Sequence, residues 1–312
     1  MRLHRIELPT PFPVGSVNAY LLEGEPLTLV DAGPRTPEAQ AALQAGVAAV
    51  GYRLEDVRRI LLTHGHTDHA GGAAWAAGRG GGAVYVHPHD RPKVSGERWV
   101  LDPLRTFVAQ SGLPAASLEG LVARLQVVRQ YHEPVADPRP LADGQSLPLG
   151  GEVLRVLHTP GHSHGHVCFY HDEGVLLAGD LLLADISPNP VVEFGPDGRR
   201  LPTLPLYLQS LRRVLLLNCE VAHPGHGPPL TNPNARIREL IAHHDQRKEA
   251  VAALVRRTPR TLAELCRQLY PDVDEVNLIL ALSEVVGHLD LLAEEKRLTI
   301  TRKKGVLLYR LR

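Results

Sequence analysis

The stretch THGHTDHAGG, Thr63 to Gly72, sets His64, His66, Asp68 and His69 within six positions, after the apolar run ILL (60–62) and before small residues. Imidazole and carboxylate are the usual ligands of zinc and related divalent ions. The run RRILLTH (58–64) reads as a buried strand, so these side chains fall in the loop that leaves it. A loop lets alternate residues converge on one point, whereas a straight strand sends them to opposite faces. Gly65 gives the backbone room to turn, and Gly71 and Gly72 permit close helix packing. The plain structural alternative is a polar turn with Asp68 capping the next helix.

The motif is not isolated. TPGHSHGH (159–166) offers His162 after a Pro-Gly turn, LAGD (177–180) ends a strand in Asp180, and HPGHG (223–227) offers His226 between glycines. Each sits at the end of an expected strand, where one edge of a sandwich collects its ligands. Of the remaining histidines, His166 is expected in a strand or in support of the site, and His223 at a strand end, with the PGHG context favouring His226 as the ligand. His87 and His89 are expected in a loop near the rim, and His244 in a helix–core contact. Asp31, in VDAG (30–33), is expected to orient one of the ligands.

Working outward, RLHRIEL (2–8), VNAYLLEG (17–24) and LTLVDAG (27–33) read as strands, TPEAQAALQAGVAAVG (36–51) as a helix and AVYVHPHD as another strand. From about 91 to 136 the apolar spacing turns helical, which predicts a helical insert. Strand character returns through LADGQSLPLGG, VLRVLHTPGH, HVCFYHDEG and GVLLAGD, followed by a helix over 204–218. The halves echo each other, since strands ending in an acid beside glycine precede a helix in both. Two stacked sheets with helices outside are therefore expected, an α/β (α+β) fold. After PPLTNPNAR (228–236) the reading is helices at about 234–257, 261–270 and 274–294, then a hairpin RLTITR-KKG-VLLYRLR. Thr261 and Glu264 form a capping-box pattern. The expected domains are 1–232, with the insert at about 91–136, and a small winged-helix-like domain over 233–312.

The formal net charge of the 312 residues is +0, which does not advertise nucleic acid or a charged membrane. The tail over 233–312 has a mild basic excess, consistent with docking, homodimerisation or nucleic-acid contact. Cys168, Cys219 and Cys266 have no paired spacing and are expected as reduced core thiols in a cytoplasmic protein. No apolar run has the length of a membrane span.

With these motifs in this order, residues 1–232 resemble the metallo-β-lactamase superfamily, whose fold is an αββα sandwich. The resemblance implies two divalent metal ions, zinc first and iron or manganese as alternatives. It implies His64, His66 and His162 on one metal, Asp68, His69 and His226 on the other, and Asp180 bridging them. It further implies hydrolysis by a hydroxide held between the metals, with Asp68 as the catalytic residue that orients it. Aspartate at position 180 is similar to the hydrolase and phosphodiesterase branches rather than the antibiotic-opening members. The segment LLLADISPNPVVEFG departs from the glyoxalase-II pattern. The run SPNP, YLQSLRRV, HPGHGPP and HHDQR, followed by the basic hairpin, is similar to the lactamase-β-like protein 2 subgroup with its C-terminal winged helix. That subgroup includes both thioester hydrolases and an endoribonuclease. The expected partner is a small-molecule ester or thioester. Single-stranded RNA is the alternative, gripped by the wing, and a non-catalytic metal-binding role is the third reading.

Overall fold

In Arg2–Leu8 (β1), Ile6 and Leu8 are buried while Arg5 and Glu7 face solvent, the period-two pattern of a strand with one covered face. The chain continues through Val17–Glu23 (β2), Thr28–Val30 (β3), Arg59–Leu61 (β4), Ala83–Val86 (β5) and Arg139–Pro140 (β6), which form one sheet in that order. A second sheet holds Ser146–Leu149 (β7), Glu152–His158 (β8), Val167–His171 (β9), Val175–Gly179 (β10) and Val221–Pro224 (β11), ordered β11-β10-β9-β8-β7. The computed structural model describes residues 1–97, 101–274 and 277–312. Residues 98–100, in the expected insert, and 275–276, in the expected helix 274–294, lie outside the described residues.

Strands β3, β4 and β5 pair in parallel, so helical crossovers must join them, and β3 and β4 are buried throughout. Helix Pro37–Ala49 makes the first crossover. It opens on Thr36, whose side chain accepts from the Ala39 amide, with Pro37 in the first turn. Thr67–Ala70 and Ala73–Gly80 make the second. Between the sheets, Tyr20, Leu22, Val30 and Leu61 meet Val156, Val167, Phe169 and Leu177. On the outer face of the first sheet, Leu43, Val47, Ala73 and Ala76 cover Leu21, Leu29 and Ile60. Beyond the second sheet, the end of helix Thr203–Leu215 is anchored by Ser210, which donates to the Pro160 carbonyl, and by Arg213, which donates to that of His158. The layers run helix, sheet, sheet, helix, as expected. Asp31, His64, His162, Asp180 and His226 all follow the carboxyl ends of strands, the edge where open α/β sheets gather their sites.

Two compact units divide the chain. One comprises Met1–Trp99, Val127–Pro188 and Ser210–Ile237, and the other Val100–Gln126, Asn189–Gln209 and Arg238–Arg312. Both units are thus discontinuous in sequence. The reason is a common core in which Leu104, Phe107, Val108 and Leu121 pack with Val251, Val255, Leu265, Leu282 and Leu289. Helix Leu262–Leu269 carries the expected capping box: the Glu264 amide donates to the Thr261 hydroxyl and the Thr261 amide to the Glu264 carboxylate. Leu298–Lys303 (β12) and Val306–Leu311 (β13) form the expected hairpin, with Lys304 at φ 49° and Gly305 at φ 86° in its turn. The three cysteines are free and buried. Among the described residues no helix is long and apolar enough to cross a membrane.

The second unit also buries His244 and His288 completely. The His288 Nδ1 donates to the Glu284 carbonyl at 2.7 Å, which leaves its Nε2 to accept from the His244 Nδ1 at 3.3 Å. Burial chiefly pushes His244 down to about 3 and, against its bond to the Glu284 carbonyl, His288 to about 4. Burial pushes Glu284 up to about 7, which acts in the opposite sense. A histidine held neutral in the native state stabilises fully above its unfolded pKa near 6.5, and that stability is lost as pH falls toward the native value. His244→Phe removes one such group. Its unfolding free energy relative to wild type should therefore improve by about 2 kcal/mol between pH 7 and pH 5. Urea titrations of both metal-free proteins at the two pH values check this.

Candidate metal centre

Strand β4 ends at Leu61, and the chain turns through Thr63 and Gly65 into the short helix Thr67–Ala70. The turn is fixed from Asp31, which sits at φ 58° just past β3 and accepts from the Thr63 amide and hydroxyl, each at 2.8 Å. A non-glycine residue in that left-handed region is strained, and the bonds it makes here hold it. Because the Thr63 hydroxyl donates to Asp31, its oxygen accepts from the His64 Nδ1 at 3.0 Å, and the Nε2 of His64 carries the lone pair. That Nε2 lies 3.0 Å from the Nδ1 of His66, which lies 3.0 Å from the Nε2 of His162. Three ring nitrogens thus face one another at the spacing of ligands around a single small cation.

A second group lies beside the first. His69 donates from Nδ1 to Asp31 at 2.9 Å, and His226 from Nδ1 to the Ser16 carbonyl at 2.7 Å. Both therefore present Nε2 lone pairs inward, the arrangement that orients imidazole ligands. The Asp68 Oδ2 stands 3.5 Å from the His226 Nε2 and 4.0 Å from that of His69. Asp180 lies between the groups. Its Oδ1 is 3.4 Å from the His69 Nε2, and its Oδ2 is 3.5 Å from the His162 Nε2 and 3.6 Å from that of His226. The His166 Nδ1 is 2.8 Å from the Thr159 hydroxyl, and its Nε2 accepts the Asp180 amide at 3.1 Å. His166 thus fixes the Asp180 backbone, in line with its expected supporting role.

The donor set fits divalent cations. The His69 Nε2, the Asp180 Oδ1 and the His226 Nε2 are buried without a hydrogen-bond partner, although such atoms are rarely left so. Three carboxylates, Asp31, Asp68 and Asp180, are gathered in the same buried region and call for positive charge. Burial raises Asp68, but His69 and His226 more than offset it and hold the carboxyl at about 2. Burial likewise opposes ionisation of Asp180, and the same two histidines hold it well below the usual carboxylate range. Burial and neighbouring imidazoles keep His64 well below its ordinary value, and His66 at about 3. On His69, burial is outweighed by Asp180, Asp68 and Asp31, which draw a proton onto the ring, the place a cation takes when bound. All seven sequence-predicted residues are brought together in three overlapping trios.

Close backbone approach explains the glycines. A Cβ on Gly71 would strike the carbonyls of Thr67 and Tyr131, and one on Gly225 would strike the Asp180 carboxylate and the His69 ring. His223 lies in β11 with its ring edge-on to Tyr20, outside the trios. His87 stacks on His158 at 4.0 Å and His89 on His164 at 3.8 Å. These imidazole stacks were not anticipated from sequence, because their partners lie on distant segments. Asp90, at the end of the VHPHD stretch, was also missed.

The sequence profile of the Metallo-beta-lactamase superfamily matches residues 12–226. The "Probable metallo-hydrolase YqjP" of Bacillus subtilis is 36% identical over 94% of this chain and 93% of its own length. The crystal structure of metallo-beta-lactamase family protein TTHA1429 from Thermus thermophilus superposes with a TM-score of 0.84 at 34% identity, covering 99% of this chain and 98% of that one. An "Atrochrysone carboxyl ACP thioesterase" of Emericella nidulans is 27% identical over 75% of this chain, which spans 59% of that relative's length.

Proposed function

Given that the chain belongs to the metallo-β-lactamase superfamily and is a metal-dependent hydrolase, we propose that it uses two divalent cations to hydrolyse a thioester of a small acid. The observation that carries the two-cation reading is Asp180, a buried carboxylate placed between the His162 and His69–His226 nitrogens. The thioester reading draws its support from the thioesterase relative. In this reading His64, His66 and His162 hold one cation, Asp68, His69 and His226 hold the other, and Asp180 serves both. When bound, the cations supply Lewis acidity, bringing water's pKa toward neutrality and polarising the acyl oxygen. Asp68 contributes an ionised carboxylate that would accept a hydrogen bond from the attacking water and orient it. His69 and His226 are locked with Nε2 inward by Asp31 and Ser16, so neither ring has to reorganise as charge develops. His/carboxylate sites of this kind suit zinc, and also iron or manganese.

A second reading, cleavage of single-stranded RNA, is favoured by one feature. The β12–β13 hairpin, the wing of a winged-helix reading of 233–312, leaves Arg302, Lys303, Lys304 and Arg310 exposed. Such a hairpin suits phosphate contacts, whose binding weakens steeply with salt.

One experiment separates them. Metal-loaded protein is given an acyl-pantetheine thioester, with free thiol released as the readout, and in parallel an end-labelled RNA strand, with Asp68→Ala as the control for contaminants. Thiol release that the substitution abolishes is the expected result. RNA cleavage lost in Asp68→Ala, with no thiol release, would overturn the thioester reading in favour of the second.

A further inference from the structure

Asp90 is fully buried, yet it lies outside the proposed ligand set. It follows β5 and opens the short helix Arg91–Val94. Its two carboxylate oxygens accept four hydrogen bonds. The Gly65 amide donates to Oδ2 at 2.7 Å, and the Ser163 hydroxyl donates to the same oxygen. Lys93 donates its ammonium to Oδ1 at 2.8 Å, and the Gly165 amide donates to Oδ1 at 3.0 Å. Lys93 also reaches the Ser163 hydroxyl at 3.2 Å.

Lys93 belongs to Asp90's own helix, and the other three donors come from two segments far apart in sequence. Gly65 lies between His64 and His66, and Ser163 directly follows His162. A single buried carboxylate therefore clasps both loops that carry the three facing ring nitrogens. The packing around it is tight. A Cβ on Gly165 would come within 2.6 Å of the Asp90 amide and 2.7 Å of its Cβ and Cγ. A Cβ on Gly65 would meet Lys93 at 3.0 Å and Asp90 at 3.2 Å. Among its described partners, no comparable bond joins Asp90 to the helix Thr67–Ala70, which carries Asp68 and His69, or to the turn bearing His226.

We propose that Asp90 is a positioning residue that sets the relative placement of His64, His66 and His162, and so the affinity and ligand field of that one cation site. The inference rests on the two-cation reading above. Lys93 and Ser163 are its auxiliaries, the first balancing the buried charge and the second carrying the clasp to the His162 loop. Charge-assisted bonds to a buried carboxylate are strong, and Asn in its place presents one acceptor and one donor where four donors converge.

The test is cobalt titration of metal-free wild type, Asp90→Asn and Ser163→Ala, read by the visible d–d bands and by competition with a chelating dye. Wild type should bind two equivalents. Asp90→Asn should bind one of them about 10–100-fold more weakly, the loss typical when a residue supporting a ligand is removed, with altered d–d bands for that equivalent only. Ser163→Ala keeps the carboxylate and its charge, and should weaken the same equivalent by a smaller factor. Two equivalents with wild-type affinities and spectra in folded Asp90→Asn would overturn the inference. Equal weakening of both equivalents would also overturn it, since Asp90 would then act only through general stability. If Asp90→Asn does not fold, Ser163→Ala decides alone by the same criteria. A wild type that binds fewer than two equivalents would instead contradict the two-cation reading, which keeps the two failures distinct.

Discussion

Asp180→Ala should purify folded but bind both cations at least about 100-fold more weakly, on the scale of losses seen when metal-site partners are removed. Hydrolysis should fall with the metal. The size of the effect follows from position. One oxygen of Asp180 lies 3.4 Å from the His69 Nε2, and the other lies 3.5 Å from the His162 Nε2 and 3.6 Å from the His226 Nε2. Removing the side chain takes an anionic group from beside both His162 and the His69–His226 pair at once, whereas His64→Ala takes a single neutral nitrogen. Metal content after dialysis, measured beside thermal melting of the metal-free protein, checks the prediction. Two retained cations with full turnover would mean that Asp180 is not shared.

Gly225→Ala should be nearly as damaging, although it removes no donor. A methyl group at this position would overlap the Asp180 carboxylate and the His69 ring, both buried, with the Asp180 backbone held by His166 and the His69 ring by Asp31. Neither neighbour is the loose end of a flexible side chain, so the clash must displace a donor of the second trio, the bridge or the Pro224–His226 turn. Gly227→Ala is the matched control. A methyl there meets nothing within 4 Å, although its φ of 75° costs the substitution about 1 kcal/mol. Metal binding and turnover should therefore fall sharply in Gly225→Ala and stay near wild type in Gly227→Ala. Comparable metal content and rates in the two variants would show that the space beside Asp180 is not needed.

Much of this candidate centre was readable because its side chains come in short runs that leave strands. HGHTDH, PGH, LAGD and HPGHG each combine a strand end, a turn-permissive glycine and a metal-grade side chain, and such signals are local. The supporting residues were less legible. Asp31 was expected to orient one of the ligands, and it bonds Thr63 and His69. Asp90 was not, because its donors Gly65, Ser163 and Gly165 come together only after folding, and no spacing along the chain encodes that. The imidazole stacks of His87 with His158 and of His89 with His164 are hidden for the same reason. Strand β6 consists of two exposed residues, Arg139 and Pro140, with no alternation to reveal it. The helical insert was visible as helix, but its apolar faces do not say what they cover. That Leu104 and Phe107 share a core with Val251 and Leu282 is a fact of tertiary packing.

The central claim is that this chain's hydrolysis depends on two cations held by His64, His66, His162, Asp68, His69, Asp180 and His226. Its most direct test is the metal content of the protein, by mass spectrometry of the ions, followed as a chelator strips them and thioester turnover is measured at each point. The account predicts close to two cations per chain at full activity and turnover that falls to background as they leave. Undiminished turnover by metal-free protein, or full activity with a single cation, would contradict it.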